Sequence, residues 1–458
     1  MSGIEFWIPL ALISLSSLLV AITGVAFLLH RSLAPMNVVP TASAVVDEII
    51  EAYGRSSTQT RTSVGEREFA AMVLFWLNPC LDTTFYALAA LRRLLAREDP
   101  ARAEDLIVGM RDRLTQMLRT HFDDDDAGAF KHHPHSWPTL YASVVAVRMC
   151  KWCADPRSFA ELDGDGGIPY PDAIQECLGS SDALTKLKQF LTRCELEQGG
   201  FGEFPGAQPG TVTTDAGYRV FALLGIQPRY PEATANFIRS CQKDAPDYDA
   251  GSPPFGFANR PDDKLPTCSA TRHATRALED NPALRERRGL DNEERLRVCD
   301  FLKLLKTGDG GFAWTKGGSS SVVQTGLAFQ TLELLVKHPG TGTYEDVVPY
   351  EAISHYLGLL ASGSHRLGFG SSSPDNICAV REAVRLTDMT ETVYAKGVNG
   401  LGASFRVKLL QAVCDHFDER SGLFVGYTQD GHKSIRGVAK YLGRSILDLS
   451  QPSLAATS

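Results

Sequence analysis

Gln198-Gly-Gly-Phe201, followed by Thr213-Thr-Asp-Ala-Gly-Tyr-Arg-Val-Phe-Ala-Leu-Leu224, couples a glycine turn to an amphipathic run, and the chain returns to this pairing along most of its length. Asp309-Gly-Gly-Phe312 leads in the same way into Val323-Gln-Thr-Gly-Leu-Ala-Phe-Gln-Thr-Leu332. Weaker copies are Phe255-Gly-Phe257 before Ala270-Thr-Arg-His-Ala-Thr-Arg-Ala-Leu278, Leu367-Gly-Phe369 before Cys378-Ala-Val-Arg-Glu-Ala-Val384, and Gly422-Leu-Phe424 before Gly437-Val-Ala-Lys-Tyr-Leu442. From Phe201 to Phe424 the turn phenylalanines are spaced 56, 55, 57 and 55 residues apart, which marks one repeated helix hairpin. Phe130 lies 71 residues before Phe201, and the excess matches an insertion around Asp163-Gly-Asp-Gly-Gly167. A degenerate first copy fits at Phe75, 55 residues before Phe130, ahead of Thr83-Thr-Phe-Tyr-Ala-Leu-Ala-Ala-Leu91.

Each unit reads as a helix, a Gly-Phe turn, a short Pro/Gly/Ser connection and a second helix. Residues 183–197, 292–306, 350–361 and 405–417 carry apolar side chains at the i, i+3, i+4 spacing of one buried face. The glycine before each Phe suits a helix C-terminus that needs a left-handed residue. No alternating strand pattern of useful length occurs, so the expected fold class is all-α.

The 458 residues are 43% hydrophobic and 22% charged, ample for a large core, and the repeats favour one closed or stacked domain over several independent ones. A net charge of −8 without a basic stripe argues against nucleic acid as a partner. The ten cysteines show no disulfide framework, and most, such as Cys194, Cys241, Cys299 and Cys414, fall at apolar helical positions. The close pair Cys150-Lys-Trp-Cys153, with His132, His133 and His135 nearby, reads either as an ordinary helical pair or as a metal or redox pair.

Residues 6–29 are 24 consecutive uncharged residues rich in Leu, Ile and Val, long enough to cross about 30 Å of hydrocarbon at about 1.5 Å per residue. A cleaved signal peptide is the competing reading, but residues 1–5 lack its basic start. Glu5 before the segment and Arg31 after it favour a single-pass anchor with a cytoplasmic body. The expected organisation is a transmembrane helix at 6–29, a linker at 30–66, a helical repeat domain at 67–447 and a disordered tail at 448–458.

Gln-Gly-Gly-Phe followed by a Thr-x-x-Ala-Leu type helix resembles the repeat of the prenyltransferase/squalene-cyclase group, which includes protein prenyltransferase β subunits and squalene-hopene cyclases. The resemblance is sharpest at residues 198–224 and 309–335. It implies an α/α toroid of about six helix hairpins, in which inner helices surround an apolar cavity that holds an isoprenoid or other lipid substrate. A membrane-anchored toroid would be well placed to take such a substrate from the bilayer.

The resemblance also suggests two kinds of site. Asp123-Asp-Asp-Asp126 contains the Asp-x-Asp-Asp signature of cyclases that donate a proton to an alkene or epoxide, with Asp123, Asp125 and Asp126 as the signature acids. It precedes its Gly-Phe turn, whereas in that family the motif follows it; Asp215, inside Thr213-Thr-Asp-Ala216, holds the family's position without its companion acids. Four adjacent acids in a turn also read as a solvated loop. Asp375, Cys378 and His432 stand where prenyltransferases bind zinc, although two residues rather than one separate the Asp from the Cys. Asp375 also suits a helix N-cap. Those enzymes work with a helical protein partner.

Trp314, Tyr218, Phe221 and Phe329 read as core or cavity lining, with a cation-stabilising aromatic box as the sharper alternative. His273 and Arg272 are expected to line the cavity or to pair with Asp262 or Asp263. Three functions fit: a membrane-anchored terpenoid cyclase or prenyltransferase-like enzyme, a catalytically inactive lipid- or protein-binding scaffold, and a carbohydrate-active enzyme with two facing carboxylates.

Overall fold

A computed structural model describes residues 79–96, 99–125, 127–134, 136–160, 168–245, 253–337, 348–368, 375–393, 402–418 and 421–426. The chain divides into two units, Met1–Met72 and Val73–Ser458, and only the second contains described residues. The anchor and linker expectations, Phe75, Asp126, His135, the 161–167 insertion, Phe369, the copy at 437–442, His432 and the tail all lie outside them. Among the described residues no helix is long and apolar enough to cross a membrane.

Six helices form the inner layer: α1 (Leu81–Ala96), α3 (Leu140–Ala154), α7 (Thr211–Leu224), α9 (Cys268–Asp280), α12 (Val322–Val336) and α14 (Ile377–Val393). Each packs on the next, and α14 packs back on α1, so the layer closes into a ring. The outer layer consists of α2 (Pro100–His121), α4 (Pro156–Ala160), α5 (Tyr170–Leu178), α6 (Ser181–Cys194), α8 (Pro231–Ser240), α10 (Pro282–Arg288), α11 (Asn292–Leu304), α13 (Tyr350–Ser362) and α15 (Gly402–Asp415). Helices α4 and α5 flank the expected insertion.

The sequence led us to expect no strands, but short antiparallel hairpins join outer to inner helices. They are β1 (Phe122–Asp123) with β2 (Ala129–Phe130), β3 (Gln242–Asp244) with β4 (Phe255–Phe257), β5 (Phe312–Ala313) with β6 (Ser320–Ser321), and β7 (Phe417–Asp418) with β8 (Leu423–Phe424). Two or three residues a strand are too few to show alternation. The repeat phenylalanines Phe130, Phe201, Phe257, Phe312 and Phe424 are fully buried.

Side-chain and backbone bonds explain the repeat spacing. The N–H groups of Phe130, Phe201, Phe257 and Phe312 donate to the hydroxyls of Ser143, Thr214, Thr271 and Thr325 at 3.3, 3.1, 2.9 and 2.9 Å. The first N–H of an inner helix, otherwise an orphan donor, is satisfied by the following hairpin. Leu81, Leu140, Thr211, Cys268 and Ile377 donate to the carbonyls of His132, Glu203, Asn259, Trp314 and Gly426 at 3.2, 2.7, 2.9, 2.9 and 3.1 Å. Each acceptor stands two residues after its repeat Phe, so the hairpins sit side by side along one rim of the ring. The Thr83 hydroxyl donates to the Phe424 carbonyl at 2.6 Å and joins the last hairpin to the first inner helix.

The glycine of the turn is not a helix C-cap. Helix α6 ends at Cys194, and Gly199 lies beyond it in the turn at φ +97°. A Cβ there would lie 2.1 Å from the Ala233 carbonyl oxygen of α8, and one on Gly310, at φ +86°, would lie 2.1 Å from that of Ala352 in α13. The turn is held left-handed so that each hairpin can press on the next outer helix.

Candidate functional site

The lining of the ring follows from helical phase. On every inner helix the second, sixth, ninth and thirteenth residues fall within about 40° of one line at 100° per residue, and this is the face turned from the outer layer. Four of the six inner helices carry arginine at the ninth place: Arg148, Arg219, Arg276 and Arg385. Gln330 takes that place on α12 and Ala89 on α1. Arg148 feels the charges of Arg276 and Arg381, on helices two places away around the ring in either direction, which only the centre brings together. The expected oily hollow is therefore lined in large part by guanidinium groups.

Some of these charges are compensated. Arg276 Nε donates to Asp215 Oδ1 at 2.8 Å, its second nitrogen donates to Asp215 Oδ2, and His273 Nδ1 meets the same carboxylate at 2.6 Å. Burial alone would raise the Asp215 pKa, but Arg276 and His273 hold it well below the usual carboxylate range. Across the ring Arg381 pairs with Glu382 and lies 4.3 Å over the Tyr86 ring. Gln330 donates to Glu382 at 3.1 Å and receives Arg272 Nε at 3.5 Å. Tyr86 and Tyr141 share a hydrogen bond of 2.9 Å.

Three guanidiniums lack a direct partner. Arg148, Arg219 and Arg385 have no hydrogen-bond or ion-pair partner among the described residues, and Arg385 Nε is buried and unmet. Burial first, helped by neighbouring guanidiniums, pushes all three below the ordinary arginine range, Arg385 to about 9, against the opposing charge of Glu382 on Arg385 and of Asp215 on Arg219. Across the ring from Arg148, and beside the helix that carries Arg385, α12 offers an apolar strip of Val323, Leu327 and Leu334, each half-buried. The lining is thus cationic on several sides and greasy on one.

At the rim, His132 Nδ1 bonds Asp82 and its Nε2 meets the Thr139 hydroxyl at 2.8 Å. Burial works against the charged imidazole, but Asp82 outweighs it and raises the His132 pKa. His132 thus serves Asp82 rather than the cysteine pair. Trp137, Phe204, Leu265 and Trp314 stand exposed on four successive hairpin connections of the same rim.

Of the acids suggested by the cyclase signature, Asp123 and Asp125 do not meet the ring centre, and Asp126 lies outside the described residues. Asp123 pairs with Lys131 at 2.7 Å, Asp125 is exposed, and their neighbour Asp124 pairs with Lys186 of α6 at 2.8 Å, so the run forms a surface turn. Asp215 does reach the centre, but as an ionised carboxylate rather than a proton donor. Of the zinc set, Asp375 Oδ1 accepts the Leu367 N–H at 2.9 Å, and burial pushes the Cys378 thiol up to about 11. Asp375 stands two residues before α14 and caps this backbone turn. No group of three His, Cys, Asp or Glu side chains able to hold a metal ion occurs among the described residues. Tyr218, Phe221 and Phe329 are buried in the core, with Phe221 and Tyr218 edge-on to Phe201, while Trp314 is exposed. His273 and Arg272 line the centre as expected, but their partners are Asp215 and Gln330 rather than Asp262 or Asp263.

Two solved structures similar to this chain carry the names of the two enzyme kinds that its repeats resemble. Candida albicans protein geranylgeranyltransferase-I complexed with GGPP aligns with a TM-score of 0.46 at 12% identity, covering 89% of this chain and 99% of that one. The type II terpene cyclase MstE from Scytonema, in complex with merosterolic acid A, aligns with a TM-score of 0.35 at 12% identity, covering 67% of this chain and 87% of that one. No family model matches the chain, and no curated protein does.

The arginines at the ninth helical place are what the sequence reading missed. A signal for them exists, because Arg148 and Arg219 both stand 18 residues after their repeat Phe, and Arg276 stands 19 after its own.

Proposed function

We propose that the ring binds an amphiphilic phosphorylated ligand of the isoprenoid diphosphate class. Its head would lie against Arg148, Arg219 and Arg385, and its tail along Val323, Leu327 and Leu334. The observation that carries this reading is three guanidiniums on the inner face of the ring with no hydrogen-bond or ion-pair partner among the described residues, because a charge held away from bulk water needs an anion. With a diphosphate held this way, the chemistry to expect is its departure as a leaving group in prenyl transfer or cyclisation, the guanidiniums stabilising the charge that develops on its oxygens. Protonation of an alkene has no donor in Asp215, which Arg276 and His273 keep ionised.

Titration calorimetry with geranylgeranyl diphosphate and with inorganic diphosphate tests the reading. Arg148→Gln and Arg385→Gln are each expected to weaken binding of both about tenfold or more, the loss of one charge-assisted hydrogen bond. The lipid is expected to bind more tightly than inorganic diphosphate. Wild-type protein that ignores both at millimolar concentration would overturn it.

Residues 6–29 are proposed as the anchor that holds this body at a membrane, with alkaline carbonate extraction as the test. The full chain should stay with the membrane, and a chain beginning at residue 73 should leave it. A second reading, a lipid- or protein-binding scaffold, draws on the exposed Trp137, Phe204, Leu265 and Trp314 of the rim.

A further inference from the structure

The cysteine pair of α3 acquires a third member in the fold. Cys150 and Cys153 lie on the side of α3 away from Arg148, and Cys177 of α5 packs onto them. Cys177 Sγ donates to the Cys150 carbonyl at 3.3 Å, which sets its sulfur against the helical turn that carries Cys150 and Cys153. Cys177 also forms part of the wall of a surface pocket of about 550 Å³, together with Arg111, Thr115, Arg119 and Glu176. Arg119 Nε donates to the Cys177 carbonyl at 2.8 Å, and Arg111 pairs with Glu176 at 2.5 Å.

We propose that Cys177 is a peroxide-reactive cysteine, with Cys150 or Cys153 as the thiol that resolves it into a disulfide. The pocket brings a small oxidant to the wall formed by Cys177, which is otherwise buried and whose sulfur lies 3.3 Å from the Cys150 carbonyl. In the first step the Cys177 thiolate attacks one oxygen of hydrogen peroxide and the O–O bond breaks. The departing hydroxide takes up the thiol proton as water and leaves a sulfenic acid. In the second step a neighbouring sulfur attacks the Cys177 sulfur, and the hydroxyl leaves with the attacking thiol's proton as a second water. Two thiols lose two electrons and one peroxide gains them.

The electrostatics agree. Hydrogen bonds from the two neighbouring thiols, aided by Arg111 and Arg119, outweigh burial and lower the Cys177 pKa, so the first proton of the cluster leaves from it. Burial holds Cys299 and Cys414, by contrast, up at about 12. These two serve as internal controls.

The experiment treats the native full chain with an equimolar amount of hydrogen peroxide, blocks free thiols and maps all ten cysteines by mass spectrometry. Cys177 and one of its two neighbours should leave the free-thiol pool at least about tenfold faster than Cys299 and Cys414, following thiolate character and access. The product should be a cross-linked peptide lighter by two hydrogens that dithiothreitol reopens. The Cys150→Ser, Cys153→Ser double variant should stop at a sulfenic acid on Cys177 that dimedone traps. Oxidation of Cys177 no faster than of Cys299 and Cys414 would overturn the proposal without any variant. A Cys150–Cys153 disulfide that still forms in Cys177→Ser would overturn it too.

Discussion

Asp309 binds the turn of the fifth repeat from both sides. Its carboxylate accepts the hydroxyls of Thr307 and Ser320, both at 2.5 Å, and His365 Nε2 at 2.9 Å. Burial would raise the Asp309 pKa, but these donors lower it from 3.8 to about 2, while the Ser364 backbone and Asp309 together lift that of His365 above 6.5 against its own burial. A raised histidine pKa gives stability that is complete below the unfolded value and fades as pH rises through the folded one. A depressed carboxylate gives stability that is complete above its unfolded value and fades as pH falls through its folded one. The stability gap between wild type and His365→Gln is therefore expected to be widest between about pH 4 and 6.5 and to shrink above that window. Thermal melts across pH measure it, and a gap that stays constant to pH 8 would count against the pairing. The sequence displayed Asp309 as part of a repeat but not its partner, because a separation of 56 positions leaves no local sign of the contact with His365. The threonines of the inner helices were legible as a pattern, and the fold supplies their reason in the buried Phe N–H groups that Thr214, Thr271 and Thr325 satisfy.

Among the elements, the upstream helices at 292–304 and 350–362 and the starts of five inner helices were readable from apolar spacing to within about two residues, whereas no such run marked α3. Helix α6 ends three residues sooner than its pattern suggested, because the backbone turns extended at Glu195, which bridges to Phe201. The arginine-lined centre was not readable by the same rule. A period of 3.6 separates a helix's packed face from its polar face, yet it cannot tell a polar face turned to a wet centre from one turned outward. The Gly-Gly-Phe turn, by contrast, was visible at once, and its geometry makes a demand on stability. Gly199→Ala must hold a side chain at φ +97° and displace the Ala233 carbonyl, so it is expected to cost about 2 kcal/mol or more, read from urea unfolding. An alanine tolerated without loss would mean that the hairpin does not press on α8.

At the scale of the whole ring, the repeat spacing alone left closed and stacked arrangements open, the resemblance pointed to a toroid, and the closure joins the two ends of the described body. Helix α1 has α15 and the final hairpin against it. Arg93 of α1 also reaches Asp388 of α14 at 3.2 Å. A closed ring has no capping repeat, so each unit depends on two neighbours. A chain ending at residue 401 lacks α15 and the last hairpin, and it is expected to lose its single cooperative thermal transition. Calorimetry checks this, and a sharp melt near the wild-type temperature would show that the ring tolerates a gap. The Thr83–Phe424 bond spans 341 positions. During translation α1 therefore leaves the ribosome long before its partner exists, and the nascent body stays an open arc with a bare flank until the final hairpin is released. That interval is when a chaperone has an unfinished edge to hold.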